Sequence, residues 1–275
     1  MVKMGTKRTG YIDAARIFGE FGVQGIPVSG GSQHYDEVSA TQNWQLGSRR
    51  TEGGKVFYYA KAGGTLIPDQ GVKINYVQAV AIAAVANAAV GAVSVSITVG
   101  AADGKTGNGA IALNELVGGD IVLYPAGVQQ HMTRRIVSNT AVLAGGGAMT
   151  VVLNRPLSTA LTGAASNGEI QHSIYLDVVN DNNNIHRVAG IAPLAATIGQ
   201  FIWLQTWGPA WLSPQATVGV GFNSDVVFRE DGSLSIADGA AAVYNTKLQR
   251  AGYVLRPGTA GGAQGAPFFM LEVRP

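Results

Sequence analysis

The chain contains no cysteine and little charge. Without thiols there is no disulfide, no thiolate nucleophile and no cysteine-bound metal, although the absence leaves the compartment open. Charged residues make up 13% of the 275 positions, about half the usual share of about 25%. A surface so weakly ionic is poorly solvated on a lone subunit, and part of it is expected to be covered by other copies. The 19 Lys and Arg against 17 Asp and Glu leave a net charge of +2, without the basic excess of a nucleic-acid binder.

Long apolar runs are scarce as well. The opening MVKMGTKRTGYIDAARIFGEFG carries early positive charge but not the apolar core of a secretion signal. One charge-free span, residues 74–102, is long enough to cross a bilayer. It is built mostly from Ala and Val, is interrupted by Asn75, Gln78 and Asn87, and ends in the alternating VSVSITV. A buried core segment is therefore expected there rather than a membrane helix.

Glycine is what the chain has in excess. Its 38 glycines are about twice the usual share of about 7%, and they punctuate short β-prone runs. GGKVFYYAKAGG and TLIPDQGVKINYVQ, turning at Pro68 to Gly71, together resemble a hairpin. AVAIAAVANAAVG satisfies helix and strand equally. AVSVSITVG, IVLYPAGVQQ, TRRIVSN, MTVVLNRPL, IQHSIYLDVV, RVAGIAPL, AGYVLRPG and APFFMLEVRP follow as strands, and Asp231-Gly232 marks a tight hairpin. The expected fold is all-β, an antiparallel β-sandwich or barrel body with an extended N-terminal arm and little helix. The arm is placed at residues 1–48, where only DAARIFGEFG suggests a short helix, and the body at 49–275, with possible subdomains at 49–185 and 186–275.

Signatures of chemistry are mostly missing. GAADGKT has one residue too few for a phosphate-binding loop and no helix pattern behind it. His34, His131, His172 and His186 show no metal-ligand spacing, and the asparagine-rich stretch beside Asp181 and His186 lacks the alternating acids of a calcium loop. There is no G-x-S-x-G elbow. The carboxylates offer no pairing that singles out a glycosidase cleft. No cofactor, no metal and no catalytic residue is expected.

The densest aromatic stretch is FIWLQTWGPAWL, with Trp203, Trp207 and Trp211. Gly199 and Gly208-Pro209 leave too little room for a helix, so a strand buried on both faces is expected from Phe201 to Trp207, with Gly208-Pro209 turning the chain before Trp211. Trp203 and Trp207 then fill the core, or Trp207 and Trp211 anchor a subunit interface. Trp44, Tyr11 and Phe18 of the N-terminal region are further interface candidates.

From residue 47 onward the order of segments, from GGKVFYYAKAGGTLIP through AAVGAVSVSITVG, NELVGGDIVLY, RRIVSNT and MTVVLNRPLSTAL to the Trp-x-Gln-x-Trp-Gly element at Trp203 to Gly208, resembles the decoration, or cement, proteins of tailed-bacteriophage capsids. The loop at 180–186 has no counterpart in that pattern. The resemblance implies a structural protein without catalytic activity, commonly a homotrimer, made in the host cytoplasm and placed on the outer surface of the virion. Its partners there are the major capsid protein and its own sister copies, with no nucleic acid and no membrane. Rival readings are another virion part, such as a head-fibre base or tail-associated β protein, and a carbohydrate-binding module.

Overall fold

The computed structural model describes residues 23–24, 33–75, 78–181, 186–212, 218, 225–237, 249–256 and 268–274. Among them the fold is all-β. The strands are β1 (Val23–Gln24), β2 (Arg49–Glu52), β3 (Lys55–Lys61), β4 (Gly71–Lys73), β5 (Gln78–Ala84), β6 (Ser94–Val99), β7 (Asp120–Tyr124) and β8 (Met132–Asn139). They continue as β9 (Gly147–Leu153), β10 (Asn167–Gln171), β11 (Val188–Ile191), β12 (Phe201–Trp211), β13 (Asp225–Phe228), β14 (Leu234–Ile236), β15 (Arg250–Arg256) and β16 (Phe268–Glu272). The span 74–102 holds β5 and β6, and no helix among the described residues is long and apolar enough to cross a membrane. The DAARIFGEFG segment lies outside the described residues.

Two compact units divide the chain: residues 1–75 with 175–275, and the inserted residues 76–174. This differs from a division at 185/186. The inserted unit is a six-stranded antiparallel sheet in the order β5-β10-β7-β8-β9-β6, curled so that its first and last strands meet at the Val85↔Ile97 bridge. Three of its strands, β6, β7 and β9, alternate cleanly. Val95, Ile97 and Val99 on β6, Ile121 and Leu123 on β7, and Met149, Val151 and Leu153 on β9 point into one aliphatic core, with intervening residues outward. Valine- and isoleucine-rich runs suit this pleat, and each inward side chain adds apolar burial at roughly 25 cal/mol per Å².

The other unit is a ten-stranded sheet with the path β1-β2-β3-β12-β16-β15-β13-β14, plus β11 paired to β12 and β4. Its central strands are buried on both faces. β3 has five consecutive buried residues, Val56 to Ala60, and β12 has six, Phe201 to Thr206. The run TLIPDQGVKINYVQ does turn at Pro68-Asp69, but it forms no hairpin with β3. Instead β3 pairs with β2 and β12, and β4 pairs with β11. A two-sided apolar strand such as β3 needs partners on both edges and cover on both faces, and distant β12 supplies one edge. The Asp231-Gly232 turn does close a hairpin, β13 with β14, with Gly232 at φ 81°.

Residues 33–48 run along this unit with little regular structure, yet packed against it. Leu46 is in the core, with Tyr35, Val38 and Trp44 against it. Buried Gln33 is their main polar anchor. Its amide donates to the carbonyls of Phe201 (2.9 Å) and Glu37 (2.9 Å), and its side-chain oxygen accepts from Tyr59 Oη (2.6 Å) and Asn43 Nδ2 (3.2 Å). Its backbone carbonyl accepts from Trp203 Nε1 (3.1 Å) and Arg50 Nη1 (3.0 Å). Buried polar groups persist only when matched in this way.

Candidate interaction surface

The strand carrying the tryptophans does not turn at Gly208-Pro209. β12 runs through the pair to Trp211. Opposite β3 the register shifts between Gln205 and Trp207, so that Gln205 faces Phe57 and Trp207 faces Val56. This bulge moves Trp207 to the face opposite Trp203. Gly208 adopts φ 99°, and a Cβ there would lie 2.7 Å from the carbonyl oxygen of Gly54. Buried Gln205 splints the kink, its Nε2 donating to the carbonyls of Trp207 (3.2 Å) and Pro209 (3.0 Å). The carbonyls of Trp207 and Pro209 are thereby given a donor, and the strand goes on.

The three tryptophans therefore do different work. Trp203 is fully buried, its ring 4.9 Å from Tyr59 and 6.1 Å from Trp44. Trp207 is half-buried and packs against the edge of the same core. Trp211 is also half-buried, and its indole N–H is shielded from solvent with no hydrogen-bond partner among the described residues. The Trp44 indole N–H is in the same condition, but Trp44 sits beside Trp203, on the face away from Trp207. Tyr11 and Phe18 lie outside the described residues.

Beyond the bulge, β12, β16 and β15 form a three-strand surface that is apolar on both sides. The inner side carries Ala210, Phe269, Leu271 and Ala251, all buried in a third core cluster with Phe228 and Leu234. Cross-strand partners share a face, so the outer side holds Trp211 beside Phe268, and Pro209 beside Met270 and Tyr253. Phe268 is 45% exposed, Tyr253 38%, and Leu255, at the β15 bulge opposite Phe268, 46%. Gly252 brings β15 close to β16, since a Cβ on it would lie 1.7 Å from the Met270 carbonyl oxygen.

The rim of this surface is polar and carries paired charges. Arg250 reaches Asp225 at 3.0 Å and also pairs with Glu272. Two residues beyond Glu272, Arg274 lies over the Tyr58 ring at 4.6 Å, and Tyr58 stacks on Tyr175 at 5.2 Å. Burial pushes the Tyr175 hydroxyl up to about 12, against the pull of the Arg274 charge. An apolar centre of aromatics with a charged rim has the composition of a protein-protein interface. The continuous apolar runs GYVL and FFML were the available signal, because a strand with water on one face alternates instead.

The titratable clusters elsewhere tie loops together. Lys73, 2% exposed, donates to the Asp181 carbonyl (2.7 Å), to Asp181 Oδ1 (3.2 Å) and to the Glu230 carbonyl, while Asp181 Oδ2 meets His186 Nδ1 at 2.8 Å. In the inserted unit Glu115 meets His172 at 3.2 Å and accepts the Ala112 N–H at 3.0 Å. Burial raises the Glu115 carboxyl, but those two hydrogen bonds and the Lys105 charge outweigh it and hold it below its ordinary value. In the GAADGKT loop the Asp103 carboxylate accepts the N–H groups of Gly100 (2.7 Å) and Ala81 (3.1 Å). Within the loop the carboxylate thus caps the Gly100 N–H, and it ties the loop to β5 through Ala81. Among the described residues no three His, Asp or Glu side chains are grouped to hold a metal ion. No protein-family model, no curated protein and no solved structure matches the chain.

Proposed function

We propose that this protein acts by binding alone, as a capsid decoration subunit of a tailed bacteriophage. In this reading it is a homotrimer on the outer surface of the virion that bridges neighbouring capsomers of the major capsid protein. The order of its segments and the Trp203 to Gly208 element carry the resemblance on which the capsid address rests. The outer face of β12, β16 and β15 is the single structural observation that favours a binding role, because exposed Phe268, Tyr253 and Leu255 beside Trp211 make one apolar patch. Patches of that kind on soluble proteins mark places that another chain covers. Sister copies cover it here, and threefold repetition turns several weak capsid contacts into a strong one.

The test has two readouts. Replacing Trp211 and Tyr253 together with serine should lower the assembly mass in sedimentation from trimer toward monomer, with secondary structure retained. Particles carrying the wild-type protein should show it clustered in threes over the whole shell. An unchanged mass removes the patch from the trimer contact, and copies confined to a single vertex make the protein a tail or fibre component instead.

A further inference from the structure

The turn at residues 34–37 is held to β2 through His34. Nδ1 of His34 contacts Asp36 Oδ1 within the turn, and Nε2 lies 3.0 Å from Glu52 Oε1 on β2. The His34 backbone N–H donates to Glu37 Oε2 at 2.9 Å. Glu52 in turn pairs with Arg50 at 2.6 Å, and the Tyr35 ring lies 4.5 Å from the imidazole. Asp36, Glu37, Glu52 and Arg50 are thus the charges facing this histidine, three negative and one positive.

A carboxylate only accepts hydrogen bonds, and a neutral imidazole has a single N–H to give. With a carboxylate oxygen against each ring nitrogen, both contacts are hydrogen bonds only when the ring carries two protons. We infer that His34 is a pH-dependent clip, joining the 34–37 turn to β2 as the imidazolium and releasing one of its two carboxylates when it loses a proton. The direction of its titration agrees. The Asp36 hydrogen bond raises the His34 pKa above 6.5, partial desolvation lowers it, Glu52 raises it again, and Arg50 opposes. Asp36 is correspondingly lowered, chiefly by the same hydrogen bond.

The sign follows from linkage. A folded pKa raised above the unfolded one means the contribution is fully present below 6.5 and is lost as pH rises through the folded value. Release is local, because the turn is anchored on either side by contacts that do not involve His34. Before it, Gln33 hydrogen-bonds Phe201 and Tyr59, and after it Ser39 exchanges two backbone hydrogen bonds with Phe201, at 3.0 and 2.7 Å. The clip therefore loosens the turn between two fixed points, independently of the decoration reading.

Proton NMR titration of the four histidines, assigned by single His→Gln variants, tests this directly. His34 should titrate with a midpoint above 6.5. The exchange protection factor of its own backbone N–H should fall through the same midpoint, about tenfold for each unit by which the midpoint exceeds the unfolded value. Glu52→Gln should bring the midpoint down toward the ordinary value, and His34→Gln should leave protection of residues 34–37 flat across that range. A His34 midpoint at or below 6.5, or an unchanged pH dependence of protection in His34→Gln, overturns the clip.

Discussion

The two units of this chain solve the same problem, a stable antiparallel sheet, with different side chains. The core of the inserted unit is built from Val, Ile, Leu, Met and Ala, with no aromatic residue in the cluster. Strands β6, β7 and β9 alternate, and the sheet curls until Val85, just past β5, bridges Ile97 on β6. The other unit concentrates aromatics, with Phe57, Tyr58, Tyr59, Tyr175, Phe201 and Trp203 in one cluster. That unit also holds a second cluster around Phe228, Phe269 and Leu271, and it carries exposed apolar residues on the outer face of β12, β16 and β15. The contrast is one of placement: the inserted unit leaves exposed apolar side chains dispersed, as at Ile82 on β5, Val137 on β8 and Leu113 and Leu143 in loops, whereas the aromatic sheet gathers Tyr253, Leu255 and Phe268 with Trp211 on one face.

If the aromatic cluster is a core of its own, damaging it should spare the inserted unit. Trp203→Ala removes a fully buried ring, and truncations of this type cost about 3–5 kcal/mol. It also leaves the Gln33 carbonyl without its indole donor. The expected outcome is loss of the near-UV circular dichroism signal, with amide exchange protection retained in β6 to β9. Loss of both together would join the two cores into one cooperative unit.

The reverse experiment uses Asn139, a polar side chain that is 2% exposed in the aliphatic unit. Its Oδ1 accepts the Leu116 N–H at 2.9 Å, and its Nδ2 donates to the carbonyls of Ala112 (2.9 Å) and Thr140 (3.0 Å). Asn139→Ala strands those backbone groups, at about 1–3 kcal/mol for a buried unsatisfied group. Protection of the Leu116 amide should collapse while the aromatic signal stays.

The same contrast governs how much was legible in the sequence. Clean alternation made β6, β7 and β9 readable, because a period of two with one wet face is a local property. AVAIAAVANAAVG, balanced between helix and strand by composition, is drawn into β5 by pairing with β10, a long-range contact that no window of sequence contains. The hairpin expected after β3 failed for the same reason, since its true partner begins at Phe201. Gly208-Pro209 looked like a turn because both residues usually end strands. The splint from Gln205 and the positive φ of Gly208 cancel that rule, and they also set which tryptophans share a face. Of the candidate interface residues, Trp207 and Trp211 come together on one side of β12, and Trp44 goes to the other. Tyr253, Leu255 and Phe268 were missed as surface residues because an apolar strand residue reads as core by default.

The smallest expected effect sharpens what the outer face is for. Arg250 is 55% exposed on its side chain and is held by Asp225 and Glu272 at the border of the patch. Its pairing raises an already high pKa, chiefly through the Asp225 hydrogen bond, so it stays charged at any working pH. Exposed ion pairs contribute about 0–1 kcal/mol, so Arg250→Ala should shift the melting temperature very little. It does, however, uncover two carboxylates beside an apolar surface that sister copies are proposed to share. Like charges brought together there would weaken association at low salt, and added salt would restore it. Assembly mass measured for Arg250→Ala at low and at high salt should therefore differ by more than it does for the wild type, where Arg250 offsets one of the two carboxylate charges. Equal masses at both salt concentrations would place Arg250, and with it this border of the sheet, outside the contact.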